Sequence, residues 1–171
     1  DISTAEYLKK IFKLIKPKNR VYSYSVLNKD NKYYFFADTG VNISLSNSQK
    51  MELENLLKNE VGRFFEINIA KLGFKTDDLV LQVDAALFPE VAKKKGIINP
   101  KVHNAFIFPD LNSANIGYKL VQHLGGYDHI GPILLGTGYY ISDLSRSASE
   151  KEIYNTAVYL GKMAMKSMRK K

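Results

Sequence analysis

The run Ala105-Phe-Ile-Phe108 constrains this chain more than any other stretch: it is short, wholly apolar and closed by Pro109-Asp110. An unbroken apolar strand cannot leave either face in water. It belongs inside a sheet covered on both sides, which is the setting of parallel strands. A helix follows, Leu111 to Leu124, ended by Gly125-Gly126. A buried strand that feeds a helix is the repeating step of an α/β fold.

The remaining segments fit that step. Ser3 or Thr4 caps a first helix with Leu8, Ile11, Phe12 and Ile15 at i, i+3, i+4, i+7, stopped by Pro17. Arg20 to Leu27 alternates, with Tyr22, Tyr24 and Val26 on one face and Val21, Ser23 and Ser25 on the other. Asn28 to Lys32 is turn chemistry and Tyr33 to Ala37 pairs back, which predicts a β-hairpin. Its tyrosines either stack on bases or pack across strands, and packing is the commoner use. Ser46 or Asn47 opens a long helix that buries Leu53, Leu56, Leu57, Val61, Phe64 and Phe65. A short strand is expected within Ile67 to Phe74. Leu79-Val-Leu-Gln82 and Val83-Asp-Ala-Ala-Leu87 come next, then a short helix entered at Pro89 and completed by Val91 to Lys95. Gly131-Pro-Ile-Leu-Leu-Gly136 reads as another apolar strand. The last helix runs from Ser149 to about Met168, with Ile153, Ala157, Leu160 and Ala164 on its stripe and methionines as core filler. The expected fold is a three-layer α/β/α arrangement with a mixed, mostly parallel sheet and the hairpin at one edge.

Composition narrows the function classes. With 171 residues, 45% hydrophobic and 25% charged, the chain has room for one domain with a proper core. It has no cysteine, hence no disulfide framework and no thiolate metal site. No apolar run reaches membrane-spanning length and no leader is visible, so no membrane partner is expected and the default location is cytoplasmic. The net charge is +8, but only four of the 25 basic residues are arginine: Arg20, Arg63, Arg146 and Arg169. The lysines are spread over helix faces rather than gathered in a stripe, apart from Lys93-Lys94-Lys95 and the tail. That is solvated surface with some steering of anions, and no nucleic-acid module is present. His103, His123 and His129 lack metal-ligand spacing, so no metal is expected.

Chemistry concentrates between Asp143 and Asn155. Ser145 and Arg146 fall in the loop between an apolar strand and a helix, where α/β proteins bind ligands. A hydroxyl beside a guanidinium suits an oxyanion. Glu152, seven residues on, is placed to serve as a base in the same pocket. Two plainer roles stand beside these: Ser149-x-x-Glu152 is also a capping box, and Arg146 can pair with Asp143. Asn112, Ser113 and Asn115 crowd the first turn of the helix after Pro109, where free N–H groups favour an anion and one of the three is expected to cap. Asp38-Thr-Gly-Val-Asn42 is either a turn or the lip of a site, and Gly136-x-Gly138 is more a turn than a phosphate loop.

Phe108-Pro-Asp-Leu-Asn112, Asn115-Ile-Gly-Tyr-Lys119, Leu124-Gly-Gly126, Ile130-Gly-Pro-Ile-Leu134 and Asp143-Leu-Ser-Arg146 resemble phosphate acetyltransferase (phosphotransacetylase) in order and spacing. Upstream, Ser3-Thr-Ala5, Phe36-Ala-Asp38 with Val41-Asn42, and Asp84-Ala-Ala-Leu87 with Pro89-Glu-Val-Ala-Lys93 match as well. Phosphate butyryltransferases and the C-terminal region of some malic enzymes share the architecture, which is isocitrate-dehydrogenase-like. The resemblance implies reversible acetyl transfer between coenzyme A and inorganic phosphate, with acetyl-CoA, phosphate and acetyl phosphate as substrates, no prosthetic group, no metal and a homodimer. It implies that Ser145 steadies the transition state, Arg146 binds phosphate and Glu152 deprotonates the thiol. It extends the substrate-binding set to Asp38, Asp84, Asp110, Asn112 and Asn115.

The chain departs from the family pattern in three places. Glu152 stands where aspartate is usual, Ser147-Ala148 where Gly-Cys commonly follows the arginine, and family members are about twice as long. The resemblance therefore implies that residues 1–131 are a second domain and 132–171 a segment returning to a first domain. A further stretch of family sequence is expected to be absent near Phe74-Lys75. As a fragment the chain is expected to have little activity alone, and Ile133, Leu134, Leu135 and the last helix to lack a packing partner. The competing readings are a non-catalytic module that senses acyl-CoA or drives oligomerisation, as in the malic-enzyme relatives, or a phosphate butyryltransferase.

Overall fold

The computed structural model describes residues 20–41, 43–73 and 83–169, with Glu6, Lys10 and Lys13 as isolated positions before them. The expected first helix, Asn42 and the Leu79–Gln82 segment lie outside the described residues.

Strand β1 (Tyr22–Lys29) turns directly into β2 (Lys32–Asp38). Asp30 and Asn31 both take positive φ, 52° and 60°, as a two-residue hairpin turn matched to strand twist requires. Helix α1 (Asn47–Leu56) is capped by Ser46, whose hydroxyl accepts from the Gln49 amide while the Gln49 side chain returns the bond. Where one helix through Phe65 is expected, α1 instead passes into a π-helical turn, Leu57–Val61, closed by Gly62 N–H donating to the Leu57 carbonyl at 2.9 Å. The wider turn keeps Leu53, Leu57 and Val61 on one buried line. Next come β3 (Ile69–Lys71), α2 (Val83–Leu87), α3 (Pro89–Lys94), β4 (Ala105–Ile107) and α4 (Leu111–Gly125). The chain closes with β5 (Asp128–Leu135) and α5 (Glu150–Met168).

The five strands form one sheet in the order β3-β4-β2-β1-β5. Helices cover both faces, as an α/β fold predicts. One core gathers Tyr22, Tyr24, Val26, Phe35 and Ala37 with α1 and with Tyr159 and Met163 of α5; the other gathers Leu27, Phe36 and Phe106 with Ala86 of α2 and Tyr118 of α4. The hairpin tyrosines therefore pack rather than wait for bases: Tyr22 and Tyr24 are fully buried.

Two expectations about the sheet are corrected. The hairpin is not at an edge, and the sheet is evenly mixed rather than mostly parallel. The β3–β4 and β4–β2 pairs are parallel, whereas β2–β1 and β1–β5 are antiparallel. The reason is that β5 returns along the free side of β1, Tyr22 opposite Leu135 and Asn28 opposite Asp128, which leaves the hairpin in the middle. That pairing also removes the expected exposure of Ile133, Leu134 and Leu135, all buried.

The stripe on α5 is corrected too. Its buried residues are Thr156, Tyr159 and Met163, with Ile153 turned outward. Two of the three are polar and admitted by hydrogen bonds: Thr156 Oγ1 accepts from Gly131 N–H at 3.1 Å, and the Tyr159 and Tyr24 hydroxyls lie 3.2 Å apart.

Candidate functional site

Topology brings the end of α4 nearest β4 beside the loop between β5 and α5 and the stretch leading into β1. The result is a cleft of roughly 910 Å³, lined among others by Arg20, Ser23, Gly40, Asn115, Tyr118, Lys119, Asp143, Ser145 and Arg146.

The Ser145 loop is held by its own bonds. Asp143 N–H donates to the Pro132 carbonyl at 3.1 Å and Ser142 Oγ–H to the same oxygen at 2.7 Å, which ties the loop to β5. Ala148 N–H closes a turn onto the Ser145 carbonyl at 3.0 Å, and the Ser145 and Ser147 hydroxyls are 3.0 Å apart. Ser147, where the family pattern has glycine, thus takes one side of the Ser145 hydroxyl. Ser145 and Arg146 are exposed to the cleft. Arg146 makes no ion pair with Asp143 or any other described residue, so its fork is open to a ligand.

Arg20 and Lys119 complete a ring of three cations, with the Lys119 ammonium 5.6 Å from the centre of the Tyr118 ring. Three cations, the hydroxyl-bearing Tyr22, Ser23, Tyr118 and Ser145, and one carboxylate line the cleft, a balance that favours anions. Arg20 and Ser23 lie in none of the motifs that carry the resemblance, whereas Tyr118 and Lys119 lie within Asn115-Ile-Gly-Tyr-Lys119 but are given no role there. The scarcity of arginine is the one signal that marks Arg20; for Lys119 the signal is its place in the family-like motif.

The other expected site residues are distributed differently. Asn115 lines the cleft; Asn112, Asp110, Asp84, Asp38 and Glu152 do not. Asp110 is the N-cap of α4, its carboxylate accepting from Ser113 N–H at 2.8 Å, so the cap is none of the three residues expected to provide it. The Ser113 hydroxyl donates back to the Asp110 carbonyl. Asp84 stands at the start of α2 with the Lys95 ammonium 3.3 Å away. Asp38 is buried beneath the cleft wall, its carboxylate accepting from Ser23 Oγ–H at 3.0 Å and from Gly40 N–H, both on cleft-lining residues. Burial pushes Asp38 up to about 6 against the pull of those two donors.

Glu152 sits at the head of α5 with both oxygens engaged. Oε2 accepts from Ser149 N–H at 2.8 Å and Ser149 Oγ–H at 3.0 Å, closing the capping box. Oε1 accepts from Gln122 Nε2–H at 2.9 Å and faces His129 Nδ1 at 3.2 Å. Although partial burial raises it, these donors together hold Glu152 down at about 2. Of the two roles open to it, base or cap, this geometry satisfies the cap.

His129 is buried and stacked on Tyr118 at 4.7 Å between ring centres. Burial lowers its pKa, which favours the neutral ring. A carboxylate can only accept, so Nδ1 carries the proton toward Glu152 and Nε2 accepts from Ser25 Oγ–H at 3.1 Å. Burial, then the charges of Asp38 and Glu152, push the Tyr118 phenol up. Among the described residues no group of three or more His, Asp or Glu is placed to hold a metal ion, and no helix is long and apolar enough to cross a membrane.

Fold and cleft together define an α/β protein with a cationic cleft at a strand-to-helix loop. Comparison with known proteins identifies which kind. Residues 76–160 match the family model described as "Phosphate acetyl/butaryl transferase". A phosphate acetyltransferase of Bacillus subtilis (strain 168) is 30% identical over 196 aligned positions, covering 95% of this chain and 61% of the relative. A crystal structure of a phosphotransacetylase from Streptococcus pyogenes superposes with a TM-score of 0.80 at 32% identity, covering 96% of this chain and 60% of that one. A branched-chain phosphotransacylase from Enterococcus faecalis V583 shares the fold, with a TM-score of 0.77 at 16% identity. The chain belongs to the phosphate acetyl/butyryl transferase family. It spans about three fifths of the length of these phosphate acetyltransferase relatives. The Bacillus alignment, at 196 positions against 171 residues, also shows that the relative carries sequence with no counterpart here.

Proposed function

We propose that this chain carries the acyl-transfer site of a phosphate acetyltransferase, moving acetyl reversibly between coenzyme A and inorganic phosphate. The observation that carries the reading is the Arg146 guanidinium, without an ion pair among the described residues, on the same cleft as Ser145, Arg20 and Lys119. Arg146 grips the phosphate or the phosphoryl end of acetyl phosphate, which holds the attacking or leaving oxygen in line. Ser145 donates toward the carbonyl oxygen, which gathers negative charge in the tetrahedral transition state. Lys119 and Arg20 take the phosphates of coenzyme A, and Asn115 supplies a neutral amide on the same wall. Coenzyme A enters as a substrate, not as a resident cofactor.

The resemblance to the family further supports a cytoplasmic homodimer in which residues 132–171 return to a first domain. In the present fold that boundary falls inside β5, whose residues on both sides pair with β1.

The test is formation of acetyl-CoA from acetyl phosphate and coenzyme A by the protein as its own cells make it, beside Arg146→Ala and Ser145→Ala. Removing one donor to a developing oxyanion costs about 10²–10³ in kcat. Losses of that size in both variants support the reading. Full activity in either one excludes that residue from the site.

A further inference from the structure

A second pocket, sharing no lining residue with the cleft, opens beside α5 where that helix meets the segment after the π-helical turn and the hairpin. It holds about 290 Å³, the small end of the range for ligand sites. Its floor is aromatic. Phe65 and Tyr159 are stacked at 5.9 Å between ring centres, and Tyr33 is tilted against Phe65 at 5.3 Å. These rings pack with the core on the α1 and α5 side of the sheet, whereas Tyr118 of the cleft packs with the other core. The rim is cationic. Lys162 and Lys166 stand one turn apart on α5, both exposed, and neither makes an ion pair among the described residues. The Lys166 ammonium lies 5.9 Å from the centre of the Phe64 ring, which lines the same pocket. The third ammonium, Lys151, is taken by Asp128 at 2.6 Å. Asn28 and Asn155 add two amides, and Asn28 Oδ1 is buried with no donor.

We propose that this pocket is a second ligand site, for a mononucleotide: a planar base laid on the aromatic floor and a phosphate held by Lys162 and Lys166. An aromatic floor offers a base a face to stack on. Two ammoniums one turn apart share the several oxygens of a phosphate dianion, while a lone carboxylate engages fewer of their donors. A ring without charge would leave both lysines unused, and an anion without a ring would leave the aromatic floor in water. The juxtaposition therefore selects a ligand that carries both. A base also has N–H groups at its edge, which the amides of Asn28 and Asn155 can read. A buried acceptor with no donor is costly, and a turn of the Asn28 amide toward the pocket it lines would let a base N–H satisfy Oδ1. The site lies outside the proposed acetyl transfer and does not rest on it.

The experiment is a low-salt calorimetric titration of the protein as its own cells make it with adenosine 5′-monophosphate. Adenosine and ribose 5-phosphate are titrated beside it as the two halves of that ligand. The titrations are repeated on Lys162→Ala with Lys166→Ala and, separately, on Arg146→Ala, each checked for folding by circular dichroism. The mononucleotide should bind at least about tenfold more tightly than either half. The double lysine variant should lose about tenfold in affinity for the mononucleotide and little for adenosine. Arg146→Ala should leave the mononucleotide titration unchanged. No binding of the mononucleotide by the unsubstituted protein overturns the proposal, and so does binding matched by either half. Binding indifferent to the two lysines also overturns it, and if that binding is lost in Arg146→Ala the nucleotide sits in the cleft instead. Acetyl transfer is scored by its own assay, so each reading can fail without the other.

Discussion

Asp38 shows how a single side chain can record the presence of the cleft. Its carboxylate lies under the wall, and burial raises it to about 6 from an ordinary 3.8. Between those values the folded chain keeps a proton that the unfolded chain has lost, so this group makes stability fall as pH rises through that window. Replacing it with asparagine keeps the acceptor for Ser23 and Gly40 but removes the charge. The stability of Asp38→Asn relative to the parent should therefore improve by on the order of 2 kcal/mol between pH 4 and pH 8, measured by urea unfolding at both. A constant difference would mean that Asp38 titrates alike in the folded and unfolded chain, so that burial does not raise it. The same scale shows where sequence reasoning reaches. Ser145 and Arg146 could be found because a strand ending and a helix beginning mark the loop between them. Arg20 and Lys119 are given no role, although Lys119 stands in a family-like motif, since they enter the cleft only through the pairing of β1 with β5 and the packing of α4.

At the scale of elements, the hairpin turn and the caps of α1 and α5 were readable, while the Asp110 cap of α4 and long-range pairing were not. Ser46 and Ser149 each precede a Gln or Glu by three residues, and both close the capping boxes that pattern describes. The side of β1 that β5 occupies depends on residues a hundred positions apart, so local alternation was silent and the hairpin was expected at an edge. On α5 a search for apolar residues alone chose the wrong stripe, because Thr156 and Tyr159 are buried by virtue of their partners.

Two predictions belong to elements. Glu152→Gln should lower stability by about 1–2 kcal/mol at neutral pH, the usual worth of a cap and a charged acceptor. Because Glu152 is held at about 2, below its ordinary 4.5, the parent should lose this contribution as pH falls from about 5 toward 2. The variant should not, and melting curves across that range distinguish the two. Gly131 sits at φ 110°, and an added Cβ would lie 3.0 Å from the Ile133 nitrogen and 3.2 Å from the Tyr24 carbonyl oxygen. Gly131→Ala should cost about 2–4 kcal/mol, read by thermal unfolding, since both obstacles are backbone in the β1–β5 pair.

For the whole molecule, the fold acts as a frame that carries one cationic wall. The sheet is covered on both faces, and the parts left open at one end are loops and helix starts. A net charge of +8 with Arg20, Lys119 and Arg146 in the cleft should draw anionic substrates from solution. KM for both acetyl phosphate and coenzyme A should rise between 50 mM and 500 mM potassium chloride, more steeply in the parent than in Lys119→Ala. The fold class was readable because an apolar strand followed by a helix admits few surroundings.

The most direct measurement is acetyl-CoA formation from acetyl phosphate and coenzyme A by the protein purified from its own cells, unsubstituted and as Arg146→Ala. The account predicts transfer by the parent and a loss of at least about a hundredfold in the variant. Absence of transfer, or transfer indifferent to Arg146, would contradict it.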